Sequence, residues 1–161
     1  LRSAIFEELY RRFRNLASNI DQVAMKNCIR HYIRHRGEER PIALGLISDQ
    51  SPILRPDTEW IEFFGQPTAF IDGGEKIAMK FRIPAYFTRI DRVAVGRYAV
   101  TFEEVFDGEE QVEEWEITRR YAERLEAMIR RRPELWLWSH NRWRHTPEKQ
   151  AKRFGKSTLK E

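Results

Sequence analysis

Cysteine is almost absent: Cys28 is the one thiol in 161 residues. That excludes an intrachain disulfide framework and a cysteine-built zinc cluster, and makes a reducing compartment the natural expectation. No run of about 18 apolar residues occurs, so no segment reads as a bilayer-spanning helix, and the N-terminus lacks the apolar stretch of a signal peptide. Position 1 holds leucine instead of methionine, which reads as a fragment or a processed chain. There is no internal repeat, and no RNP, KH or zinc-finger spacing of the kind that marks common nucleic-acid modules.

What is present fits one compact domain with a real core. Hydrophobic residues make up 41% of the chain and charged residues 34%, the latter in both signs and spread along the sequence, as solvated helix faces require. The formal charge of +4 favours an anionic partner, whether nucleic acid, acidic phospholipid or an acidic carrier protein, without choosing among them.

Ile5, Phe6, Leu9, Tyr10, Phe13 and Leu16 recur at three- and four-residue steps, so residues 3–16 are expected to form an amphipathic helix. Asp21 is the expected N-cap of a second helix carrying Ala24, Cys28, Ile29, Tyr32 and Ile33, which frays near Gly37 and stops before Pro41. Residues 42–47 form a continuous apolar run between Pro41 and Ser48-Asp49-Gln50-Ser51-Pro52, the pattern of a strand buried on both faces. Trp60 to Phe64 reads as a short strand broken by Gly65 and Pro67, and residues 74–82 as a helix facing inward through Ile77, Ala78 and Phe81.

Residues 85–91 and 97–106 alternate as two strands of a hairpin around Gly96, expected to extend the sheet. The acidic stretch 107–114 is a surface loop, and Ile117, Tyr121, Leu125, Met128 and Ile129 mark a long helix followed by a helical segment opened by Pro133. From His145 onward the chain is polar and basic, and is expected to be a frayed tail.

His31 and His35, four apart on one helix, could offer two metal ligands, but Arg30, Arg34 and Arg36 beside them would repel a cation; a solvated basic face is the preferred reading. The Arg-Trp segment from Trp136 to Arg144 could stack bases and neutralise phosphate. Closure of the core by Trp136 and Trp138, with Arg142 and Arg144 at the rim, is preferred. Asp49, at the C-terminal edge of the expected buried strand, stands equally as a turn residue and as a functional carboxylate.

Three segments together carry a family resemblance: Gly45-Leu46-Ile47-Ser48-Asp49-Gln50-Ser51-Pro52; Phe63-Phe64-Gly65 with Pro67; and Pro133-Glu134-Leu135-Trp136-Leu137-Trp138-Ser139-His140-Asn141-Arg142-Trp143. In order and spacing they resemble the Asp-Gln, Phe-Phe-Gly and Pro-Glu-x-Trp-x-Trp-x-His-x-Arg-Trp segments of the lipid A biosynthesis lauroyl and myristoyl acyltransferases. The resemblance implies an α/β fold, a mixed sheet flanked by helices as in lysophospholipid acyltransferases, of which residues 1–147 would be the C-terminal part and 148–161 a basic flexible tail.

It further implies transfer of a fatty acyl chain from acyl carrier protein, or acyl-CoA, to a hydroxyl of a lipid A precursor or related glycolipid. The setting would be the cytoplasmic face of the inner membrane, with no metal or cofactor and no nucleic-acid partner. Arg12, with Arg14 as a fallback, resembles a substrate-binding arginine, and Asp49 the acidic residue after the central strand. The family's base is a His-x4-Glu or His-x4-Asp pair. Here His31 is followed at that distance by Arg36, His35 by Arg40, His140 by His145 and His145 by Gln150. On this reading the 161 residues lack the catalytic motif and are inactive alone. The rival reading is a noncatalytic basic module for anionic membrane or nucleic acid.

Overall fold

The computed structural model describes residues 4–14, 20, 21, 23, 24, 27–39 and 41–155, without the side chains of residues 4, 7, 10, 11 and 14. The chain separates into two compact units, Leu1–Gly45 and Leu46–Glu161.

In the first unit the three-to-four periodicity produces helix α1, Ala4–Arg14, two residues shorter at its C-terminal end than expected; Leu16 lies outside the described residues. Helix α2 spans Cys28–His35 with Asn27, not Asp21, at its N-cap. Asp21 instead accepts a charge contact from His31 Nε2 at 3.3 Å. The helix stops at Arg36, and Gly37 lies in the turn that follows.

The second unit holds strands β1 (Trp60–Phe63) and β2 (Gln66–Ala69), helix α3 (Gly73–Phe81), strands β3 (Ala85–Ala94) and β4 (Arg97–Phe106), helix α4 (Glu116–Arg131), a 3-10 turn at Pro133–Leu135 and helix α5 (Pro147–Phe154). Helices and strands thus mix as expected, in an arrangement consistent with part of an acyltransferase domain. The strands pair as two separate antiparallel hairpins, β1 with β2 and β3 with β4.

One strand expectation fails. Residues 41–48 form neither helix nor strand, and Leu46 and Ile47 are exposed. A strand buried on both faces needs neighbours on both edges, and every described strand has instead found its partner across a tight turn. For the same reason β3–β4 stands as a free hairpin.

The β1–β2 turn shows how local chemistry and tertiary contact cooperate. Phe64 and Gly65 both have positive φ, 54° and 71°, the geometry of the two-residue turn that matches strand twist. Gly65 adopts it without cost, whereas Phe64 is strained. Helix α4 holds it: Glu126 Oε2 accepts the Phe64 N–H at 2.7 Å, and the Arg130 guanidinium lies 4.7 Å over the Phe64 ring. Pro67 does not break the structure; it sits in β2 opposite Glu62, on an edge where no donor is required.

The amphipathic stripe of α4 buries Ile117, Leu125 and Ile129 against the hairpins, where they meet Phe63, Phe70, Phe87, Val105 and Phe106. Each such side chain contributes roughly 1.5–3 kcal/mol by leaving water. The outer face of β3–β4 is apolar yet open, with Tyr86, Ile90, Val100 and Phe102 at least half exposed.

The expected frayed tail gives way to order over 147–154. Thr146 accepts the Lys149 N–H as N-cap and Pro147 occupies the first turn of α5. Buried Gln150 accepts the Trp60 indole N–H at 2.7 Å and donates to the carbonyls of Arg55, Pro56 and Thr58. Residues 156–161 lie outside the described residues.

Candidate functional site

Within the second unit, three sequence segments up to 91 residues apart converge on one residue, Arg142. Ser51, just after the bend at residues 49–50, donates its hydroxyl proton to the Arg142 carbonyl at 2.6 Å, with the Asn141 carbonyl 3.2 Å away. The Phe63-Phe64-Gly65 segment supplies Phe63, fully buried, whose ring lies 5.9 Å from the Arg142 guanidinium carbon; Phe70 lies closer, at 4.3 Å. The segment 133–143 supplies Arg142 itself and the indoles around it.

Those indoles pack. Trp136 is buried and meets Phe63, Trp138 and Trp143 edge-on. Trp143 donates its indole N–H to Thr68 Oγ1 at 2.9 Å, and the more exposed Trp138 donates to the Pro133 carbonyl at 2.6 Å. Two of the three rings are therefore committed to the interior and cannot serve as a base-stacking platform, which needs open ring faces.

Arg142 corrects the sequence reading. It is not at the rim but 2% exposed, and none of Nε, Nη1 and Nη2 has a hydrogen-bond acceptor among the described residues. Burial pushes its pKa down to about 10, while the charge of Asp49 and the phenol of Tyr121 work in the other direction. It remains a cation at neutral pH. The Tyr121 hydroxyl is driven the opposite way: burial first, and then the nearby charge of Asp49, raise its pKa, so it stays protonated and able to donate.

Asp49 is half-buried in the bend after residues 41–48, and no cation stands within ion-pair distance of it among the described residues. Its influence on Arg142 and Tyr121 is through space. Of the residues singled out from sequence, Asp49 thus lies in the same unit as Arg142 and Tyr121, where its charge acts on both. Arg12 belongs to the first unit, where its Nε donates to Glu8 Oε1 at 2.8 Å on the open face of α1. Arg14 ends that helix, and its side chain lies outside the described residues.

Sequence reasoning passed over Ser51 and Tyr121 as functional groups. Ser51 lay inside a quoted segment; Tyr121 carried only the signal of a core stripe. His31 and His35 pair with carboxylates, His35 Nδ1 lying 2.5 Å from Glu38 Oε1. No three potential metal ligands gather among the described residues. A separate cavity of about 510 Å³ between β4 and α4 is lined by charges several of which are paired, Arg120 holding Glu110 at 2.5 Å and Glu116 at 3.0 Å.

No helix among the described residues is long and apolar enough to cross a membrane. Comparison with individually curated proteins gives no match. The family model described as bacterial lipid A biosynthesis acyltransferase matches residues 2–145, which include all three converging segments. The chain belongs to the bacterial lipid A biosynthesis acyltransferase family.

Proposed function

We propose that this chain forms the substrate-side part of an enzyme that moves a fatty acyl chain from acyl carrier protein, or acyl-CoA, to a hydroxyl of a lipid A precursor or related glycolipid. The work would take place at the cytoplasmic face of the bacterial inner membrane. The observation that carries this reading is the family match over residues 2–145. The net positive charge suits an acidic carrier and a phosphorylated acceptor.

The chemistry divides as follows. An alcohol attacking a thioester needs a base to take its proton, and no histidine here has a carboxylate five residues on. In this reading the base is a His-x4-Glu pair, and an apolar anchor accompanies it, both encoded ahead of Leu1. The present residues supply Arg12 as a cation toward the charged substrate and Asp49 as the carboxylate that orients a partner in the site.

The test begins with the coding DNA upstream of Leu1, which is expected to continue in frame into an apolar segment and His-x4-Glu. The full-length protein is then assayed with acyl carrier protein thioesters and a lipid A precursor. Asp49→Asn and Arg12→Ala are each expected to lower transfer. A native start at Leu1, or transfer unchanged in both variants, removes the catalytic reading and brings a noncatalytic binding role forward.

A further inference from the structure

Most arginines of the second unit are matched to acceptors. Arg89 holds Asp91 and Glu103, Arg120 holds Glu110 and Glu116, and Arg130 holds Glu126. Arg142 is an exception at the most costly place: buried, with all three nitrogens lacking an acceptor among the described residues. Taking a cation out of water without a partner costs several kcal/mol.

Its surroundings offset only part of this. Phe70 and Phe63 offer their π-electrons to the positive charge, but five N–H donors remain to be satisfied. Asp49 acts on the charge from beyond ion-pair distance. A side chain that only braced the core would be better replaced by an apolar one of similar volume. Ser51 nonetheless fixes the backbone carbonyl of this same residue across 91 positions of sequence.

We propose that Arg142 is an internal receptor for a phosphate group, its guanidinium fork taking two phosphate oxygens. A planar fork matches an oxyanion with paired oxygens. The family's chemistry offers two sources of that group, a phosphate on the glycolipid acceptor and the phosphate of the donor's phosphopantetheine arm, so the identity of the source rests on the acyltransferase reading. Asp49 opposes the anion electrostatically and keeps the affinity moderate.

The test is the melting temperature of the full-length protein with 10 mM inorganic phosphate against chloride at equal ionic strength. With affinity near 1 mM the expected rise is about 2–4 °C, smaller the longer the full-length chain. Arg142→Met should abolish the rise while melting no lower than wild type, Arg142→Lys should weaken phosphate binding roughly tenfold through loss of the fork, and Asp49→Asn should strengthen it. In wild type the Arg142 Nε–H resonance should move on phosphate addition.

Repeating the titration with a hexosamine phosphate and with 4′-phosphopantetheine identifies the source by which one binds more tightly than phosphate alone. A wild-type protein indifferent to phosphate overturns the proposal, as does a shift that survives in Arg142→Met. Should Arg142→Met fail to fold, the resonance shift and the Lys variant decide in its place. Phosphate binding without acyl transfer would leave this inference standing and remove the catalytic one; transfer without phosphate binding would do the reverse.

Discussion

The Glu75 carboxylate accepts both the backbone N–H of Thr118, at 3.0 Å, and the Thr118 hydroxyl, while its other oxygen accepts the Trp115 N–H at 2.5 Å. Helix α4 begins after Trp115, which has φ 73° and gives no side-chain cap. A buried carboxylate from α3, about 40 residues earlier, therefore does the capping and also meets the positive end of the helix dipole.

Glu75→Ala leaves those donors buried without acceptors, and is expected to cost roughly 3 kcal/mol. Equilibrium urea unfolding should show the midpoint falling with an unchanged slope. Glu75→Gln, which keeps one acceptor, should lie between the two.

Ser51→Ala removes the clamp that ties the Asp49 bend to the Arg142 carbonyl. One hydrogen bond is worth about 1 kcal/mol, so the melting temperature should fall by only about 3 °C. Acyl transfer by the full-length protein should drop further, by roughly tenfold, because the site depends on that register. A loss of activity no greater than the loss of folded protein would remove Ser51 from the site.

Gln150→Ala orphans the Trp60 indole N–H and releases three carbonyls. The expected cost is about 2 kcal/mol. Hydrogen exchange at the Trp60 indole should speed up at least tenfold, with lesser changes in α4.

Asp72 gives a stability contribution with a definite pH dependence. Burial disfavours its charge, but hydrogen bonds and attraction from Lys76 and Arg55 outweigh that and hold its pKa below the ordinary carboxylate value of 3.8. The folded state binds its proton less readily than the unfolded one, so the contribution is present above pH 3.8 and is lost as pH falls through the lower folded value. Asp72→Asn should lower stability at pH 7 and flatten the acid limb, read from urea midpoints between pH 2 and pH 6. An acid limb of unchanged steepness would show that other carboxylates set it.

Periodicity in the sequence was enough to locate α1, α3, α4 and both strands of β3–β4, because each is written in a local pattern of residue types, whatever the sequence distance to the surface it packs on. Asn27, without a side-chain cap bond, took the N-cap position expected of Asp21, and the cap of α4 came from Glu75, since a helix N-terminus can be satisfied by an oxygen from any part of the chain. The apolar run at 42–47 did not become a paired strand, because apolar character predicts burial whereas a strand also needs edges to pair with. The order of α5 was hidden for a related reason: its anchor is one buried amide, Gln150, in an otherwise polar helix.

The family segments, and Asp49 within them, were legible as a linear pattern of residue types. That Arg142 is buried beneath neighbouring aromatics and unpaired, and that Ser51 joins two of those segments, was decided only by the tertiary structure. Whether a guanidinium is solvated at a rim or stripped of water beside Phe70 depends on which surfaces meet around it, and that meeting is set by packing between segments up to 91 residues apart.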